Sequence, residues 1–301
     1  MSIVWCKIPK AGLGNQLFPL LHAAVFAHLN NLPLYITGYH QLKIGPYVRG
    51  EKVKRNYAGY FNFQKNIISE RIQYLWLKTR YRFLNVVHEP DLKTISNSLK
   101  NHVYIFSKLP SSKYYFEKLK PHRTIVKQLL TDLIQPEYLQ LLDQIQPPVV
   151  GLHIRMGDFR KLNPGEEYNG GHVRMPETYY TEIVNGIREI NPNTPVSVFT
   201  DGYKKEFEYL FQIADVEMVS GYSDIIDLLL LSKSKVIVGT YGSTFSYWAS
   251  FLSEGIVITH RFQKHASLRP ENMNAEVYEG PFDVTNTLLV ESIRKINTIS
   301  E

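Results

Sequence analysis

Cysteine is almost absent: Cys6 stands alone in 301 residues. No intrachain disulfide and no cysteine-built zinc cluster can form, and a reducing, cytoplasmic setting is expected. There is no HExxH stretch, and the ten histidines show no tight ligand spacing, so no metal is expected. GxSxG, GxGxxG and GxxxxGK are missing too. Their absence removes the usual signatures of acyl transfer, dinucleotide binding and NTP hydrolysis. No segment offers the roughly 20 consecutive apolar residues that a spanning helix needs. The nearest, residues 225–231, is short and bounded by charge. The first residues lack a basic lead followed by an apolar stretch, so no signal peptide is expected. No internal repeat or low-complexity segment is evident.

What is present describes a folded chain, with 44% hydrophobic and 21% charged residues. The formal charge of +6 is unevenly divided. Residues 1–150 carry 20 Lys/Arg against 8 Asp/Glu, a net +12, and residues 151–301 carry 14 against 20, a net −6. Basic charge suits an anionic substrate or an anionic membrane surface, with solvated lysines on helices as the plainer reading. Residues 38–128 interleave basic and aromatic side chains, yet no nucleic-acid module is recognisable, and no nucleic-acid partner is expected.

The pattern is that of an α/β protein. Residues 2–8 read as a strand, Gly12 and Gly14 break it, and Asn15 is placed to cap a helix over 16–30. A strand follows at 34–36. After Pro147-Pro148 the chain repeats strand and helix. Strands are predicted at 149–154, 196–200, 235–239 and 256–259, and helices at 177–190, 204–212, 223–232 (with Ser223 as cap) and 244–251. Such alternation gives parallel sheets covered by helices. Boundaries are expected at 1–146, 147–265 and a tail, 266–301, whose helix at 287–297 packs back on the first domain.

In open α/β sheets ligands bind beyond the carboxyl ends of strands. Four such ends are polar or glycine-rich. Residues 11–16 form a turn around Gly14 and Asn15 where backbone N–H groups receive an anion or a hydroxyl. Residues 153–158 place His153 and Arg155 on one side of a strand, with Asp158 beyond. Arginine's rigid fork suits a diphosphate, and Asp158 either accepts a proton or ties down the loop. Asp201, ending the next strand, is placed to bond a ribose or base edge, or to cap a helix. Residues 239–246 run from strand through Ser243, Thr244 and Phe245 into a helix, whose hydroxyls and N–H groups make a phosphate cradle.

Taken in order, these four segments resemble the α-1,2-fucosyltransferases of glycosyltransferase family 11, with a wider likeness to the α-1,6- and protein O-fucosyltransferases. The resemblance rests on Gly-Leu-Gly-Asn-Gln-Leu-Phe at 12–18, an HxRxGD motif at 153–158, Thr200-Asp201, and Ser-Thr-Phe-Ser-Tyr-Trp at 243–248. It implies a GT-B-like fold of two Rossmann-like domains facing across a cleft. It further implies GDP-L-fucose as donor on the C-terminal side, an oligosaccharide or lipid-linked glycan acceptor near Gly14 and Asn15, and inverting transfer, to galactose O2, without a metal or cofactor. Arg155 would stabilise the departing diphosphate, helped by Ser243, Thr244 and Phe245. His153 would position the donor, and Asp201 would read the nucleoside. Asp158, Glu166 and Glu167 are alternative bases. Peripheral attachment to the cytoplasmic membrane face fits a lipid-linked acceptor. The chain departs from the pattern at Met156 (often a second Arg), Gly202 (often a second acid), Gly242 (Asn) and Tyr247 (Trp). Another GDP-linked deoxysugar, another linkage, or a non-catalytic glycan- or nucleotide-binding protein are the alternatives.

Overall fold

The computed structural model describes residues 2–40, 44–48, 50, 57–62, 67–94, 101–263 and 265–296. The chain divides into two compact units, Met1–Ile44 with Arg55–Gln140, and Gly45–Lys54 with Leu141–Glu301.

The first unit is built on a four-stranded sheet. Its strands are β1 (Ile3–Lys7), β2 (Leu34–Thr37), β3 (Asn85–His88) and β4 (His102–Phe106). They are parallel, in the order β2-β1-β4-β3. Helix α1 (Leu13–Asn30) follows β1 and is buried almost throughout its first four turns, which is why its apolar residues surround the axis instead of forming one stripe. Phe18 and Phe26 pack on Phe116 and Tyr104. Cys6 is buried in β1, and burial pushes its thiol well above the ordinary range, as suits a packing residue.

The expected cap by Asn15 is not formed. The helix starts earlier, with extended Gly12 at its N-cap, so Asn15 lies in its first turn. Buried Gln16 secures the turn instead, its Nε2 donating to the Pro9 and Ala11 carbonyls at 3.0 and 3.2 Å. Helix α2 (Gly45–Val48) belongs to the second unit's first segment, while α3 (Ile67–Tyr81) and α4 (Arg123–Leu133) belong to the first unit. In α5 (Pro136–Asp143) the chain passes from one unit to the other.

The second unit holds a six-stranded parallel sheet. Its strands are β5 (Val150–Ile154), β6 (Val196–Thr200), β7 (Val216–Met218), β8 (Val236–Val238), β9 (Ile256–Thr259) and β10 (Glu279–Pro281), in the order β10-β9-β8-β5-β6-β7. The chain builds outward from β5 through β6 to β7, then returns to β8 on the other side. The carboxyl ends of β5 and β8 therefore flank a topological switch point, where an open α/β sheet has its natural crevice. The helices are α6 (Glu177–Ile190), α7 (Glu208–Phe211), α8 (Asp224–Ser232), α9 (Thr244–Leu252), α10 (Glu271–Asn274) and α11 (Thr287–Arg294).

The core takes Val150, Leu152 and Ile154 from β5, Val236 and Val238 from β8, and one face of α6. Its tail joins this unit: β10 pairs with β9, and Leu289 and Ile293 of α11 enter the same core. The helix expected over 204–212 is interrupted. A 3₁₀ turn at Lys204–Glu206 and α7 are separated by Phe207, whose backbone (φ −137°) leaves the helix so that its ring can enter the core. Ser223 stands at the N-cap of α8 without closing a side-chain cap bond.

Candidate functional site

The β5–β8 switch point is tied together by Thr240. Strand pairing ends at Leu152 and Val238. Beyond it the Thr240 hydroxyl accepts the Arg155 N–H at 3.1 Å and donates to the His153 carbonyl at 2.6 Å, and it pairs with the Tyr180 hydroxyl at 3.0 Å. One side chain thus continues the ladder where two strands diverge, and it fixes the backbone that carries the HxRxGD motif. Thr240 was not singled out from the sequence, where it reads as an ordinary strand-end residue.

His153 lies in β5 and Arg155 one residue past its end, and the two serve different partners. The His153 ring is buried, stacks on Phe245 with centroids 4.9 Å apart, and pairs through Nδ1 with the Ser246 hydroxyl at 2.7 Å. Ser246 also accepts the Thr240 N–H. Burial lowers the His153 pKa to about 3, with Asp201 opposing the shift and Arg155 adding to it. His153 is therefore a neutral brace between β5 and α9, and it brings no positive charge at neutral pH.

The charge comes from Arg155. Its Nη1 meets Asp201 Oδ2 at 2.5 Å and its Nη2 meets Asp158 Oδ1 at 2.7 Å. The other Asp201 oxygen accepts the Met156 N–H at 2.7 Å. Asp201 thus holds both the arginine head and the motif's backbone from β6. Gly157 is required by this arrangement, because a Cβ there would collide with Asp201 Oδ2 and sit 3.3 Å from the guanidinium carbon.

Two departures from the family pattern meet here. A Cβ on Gly202 would lie 2.8 Å from Met156 Cγ and 2.8 Å from Phe207 Cζ. Met156 and Gly202 thus meet in one buried apolar contact.

Ser243 and Thr244 start α9, with Ser243 at the N-cap making no side-chain cap bond. Ser243 is linked to the motif through its N–H, which donates to the Thr240 carbonyl at 3.3 Å. Gly242 adopts a positive φ of 75°, and its N–H donates to the Tyr247 hydroxyl at 2.6 Å. The free N–H groups and dipole of a helix start favour an anion.

The carboxylates of the loop after the motif separate clearly. Glu166 is clamped by Arg160 at 2.8 and 2.5 Å and accepts two bonds from Asn163 at 3.0 and 2.9 Å. The Arg160 bonds, then the Asn163 backbone, hold its pKa down to about 2, which makes it a staple of the loop and a poor proton acceptor. Glu167 makes no bond among the described residues and lines a cleft of about 600 Å³ with Tyr168, Tyr179, Glu182, His260 and Phe262. The loop lies on the fourth motif: a Cβ on Gly170 would be 2.9 Å from Tyr241 Cε1. Gly14 and Asn15 lie in the first unit, in the first turn of α1. Among the described residues no group of three His, Cys, Asp or Glu is arranged to hold a metal ion.

The sequence profile of glycosyl transferase family 11 matches residues 4–273. No curated protein matches the chain. Among solved structures, the α-1,6-fucosyltransferase NodZ co-crystallized with GDP aligns with a TM-score of 0.53 at 14% identity, covering 89% of this chain and 98% of that one. The same enzyme soaked with GDP-fucose gives 0.52 at 13% identity, with the same coverage. The fucosyltransferase NodZ from Bradyrhizobium gives 0.51 at 15% identity, covering 86% and 96%. At these identities the likeness is one of fold, and that fold is GT-B-like.

Proposed function

The chain belongs to glycosyl transferase family 11, and on that premise we propose that it is a GDP-fucose-dependent fucosyltransferase, moving L-fucose to O2 of a galactose in a glycan acceptor with inversion at the anomeric carbon. The observation that carries this reading is the Arg155 guanidinium, held by Asp158 and Asp201 on a backbone that Thr240 ties to the turn leading into α9. NodZ, which shares the fold, was soaked with GDP-fucose and co-crystallized with GDP.

The acceptor oxygen attacks the anomeric carbon from the face opposite GDP. The bond from that carbon to the β-phosphate oxygen breaks, and its electron pair leaves with GDP. Arg155, the Ser243 and Thr244 hydroxyls and the α9 N–H groups stabilise the charge that develops there, the role for which preorganised donors are most effective. Phe245 and His153 back this cradle. Asp201 orients Arg155.

The acceptor's proton goes to Glu167. Asp158 is engaged with Arg155 and Glu166 with Arg160, whereas Glu167 is exposed and makes no bond among the described residues. With charge stabilisation supplied by the protein, turnover is expected to be unchanged by EDTA.

The test is product analysis. A galactose-terminated oligosaccharide incubated with GDP-L-fucose is expected to yield an α-linked fucose on galactose O2 by NMR. A β anomer would contradict inversion, and fucose on another hydroxyl would contradict the linkage. The acceptor is a free or lipid-linked glycan.

A further inference from the structure

Helix α3 has two apolar faces, one packed on the first unit's sheet and one largely exposed. Leu77 is buried in a cluster with Ile3, Trp5, Val103 and Ile105, against which Tyr81 packs. Tyr74 and Tyr81 meet the Trp5 ring edge-on, at 6.0 and 6.2 Å. This is the inward face. On the opposite side of the helix, Ile68, Ile72 and Leu75 recur at i, i+4 and i+7 and are 67, 63 and 61% exposed. Trp76 borders this stripe at 40% exposed, one side of its ring against Tyr35 of β2 with centroids 5.2 Å apart, and Phe83, just past the helix, is 81% exposed. Exposed large apolar side chains in a continuous stripe mark an interaction surface.

The rim of the stripe has one sign. By helical position Arg71 and Lys78 flank one side and Arg80 the other, with the Arg80 guanidinium 5.1 Å from the Trp76 ring centre. Arg82 follows and is exposed. The only acid on α3, Glu70, is 7% exposed and turned inward, where it accepts the backbone N–H groups of Gly38 and His40 and pairs with His40 Nδ1 at 2.6 Å. The outward face therefore carries no acid of its own helix to offset its cations.

We propose that α3 docks the protein on an anionic lipid bilayer, with Ile68, Ile72, Leu75 and Trp76 entering the headgroup boundary and the flanking Arg and Lys side chains meeting phosphates. An apolar face edged by snorkelling cations and an interfacial Trp is the arrangement an in-plane helix needs. A bilayer complements the whole rim at once. A second copy of the chain does not: a two-fold pairing through this face would set the cationic rims of two α3 helices against each other. The surface lies in the basic half of the sequence, and no helix among the described residues is long and apolar enough to cross a membrane. This inference goes beyond the sugar-transfer reading and does not depend on it.

The test is flotation of the whole protein, without donor, with phosphatidylglycerol vesicles and with phosphatidylcholine vesicles. Binding is expected to phosphatidylglycerol only, and to weaken with salt. The double variant Ile72→Ser/Leu75→Ser is expected to reduce partitioning about a hundredfold. Arg71→Gln and Lys78→Gln are each expected to reduce it about fivefold. None of these residues belongs to the proposed site, so turnover on a soluble acceptor is unchanged. Absence of binding to phosphatidylglycerol overturns the proposal, as does binding that the Ile72/Leu75 variant leaves intact. Concentration-dependent dimerisation abolished by the same variant, with no vesicle binding, would assign the face to a second copy and equally overturn it.

Discussion

Arg155→Ala is expected to lower kcat by about 10²–10³, with a small change in the KM for GDP-fucose and no loss of fold. The size of the effect follows from the group's position. Arg155 is a cation whose head is held by carboxylates from two directions, Asp158 from its own loop and Asp201 from β6. A guanidinium fixed before the reaction needs no reorganisation when charge appears on the diphosphate, so its stabilisation acts on the transition state more than on the ground state. His153 cannot substitute, because burial keeps it neutral. The variant retains the Asp201 bond to the Met156 N–H, so the motif's backbone stays anchored. A loss confined to kcat identifies leaving-group stabilisation. Near-normal turnover would reject that role for Arg155.

Glu167→Gln is expected to lower kcat by about 10²–10⁴, the range for losing a positioned general base, with GDP affinity retained. The contrast is with its neighbour. Glu166→Gln removes one arm of the Arg160 clamp and the charge that Asn163 recognises, so it loosens the loop and acts on KM more than on kcat. The reverse pattern, a rate loss at Glu166 and none at Glu167, would transfer the role and show that the clamp opens when substrates bind. Steady-state kinetics of the two variants, with GDP binding measured by calorimetry, separate these outcomes.

The second unit was legible in the sequence because its strands are short apolar runs ending in polar or glycine-rich residues, and Val-Gly-Leu-His-Ile is buried at every position. Helix α6 was legible because its apolar residues keep one face. The region from 38 to 128 was not, for identifiable reasons. Helix α3 carries apolar residues on opposite faces, so no single stripe stands out. Strand β3 is a four-residue edge with two exposed ends. The edge strands β7 and β10 have three residues each, and β10 includes Gly280 and Pro281, which as local signals argue against a strand.

At the site, spacing alone placed His153 in a strand and Arg155 at its end. It did not show that Asp201, 46 positions from Arg155, closes on it, or that Thr240, 87 positions from His153, joins the two strand ends. Those contacts come from the order of strands in the sheet, which brings β6 and β8 to either side of β5. The same order sets Met156 beside Gly202, just past the ends of β5 and β6. Equally, nothing in the adjacent letters Glu166-Glu167 distinguishes a staple from an open carboxylate. Arg160 makes the distinction by folding back on the loop.

The most direct test of the central claim is release of nucleoside diphosphate from a panel of GDP-L-fucose, GDP-mannose and UDP-galactose, with a galactose-terminated acceptor present or absent. GDP is expected from GDP-L-fucose, and only when the acceptor is present. Failure to release GDP from GDP-L-fucose, or turnover of UDP-galactose in its place, would contradict the account.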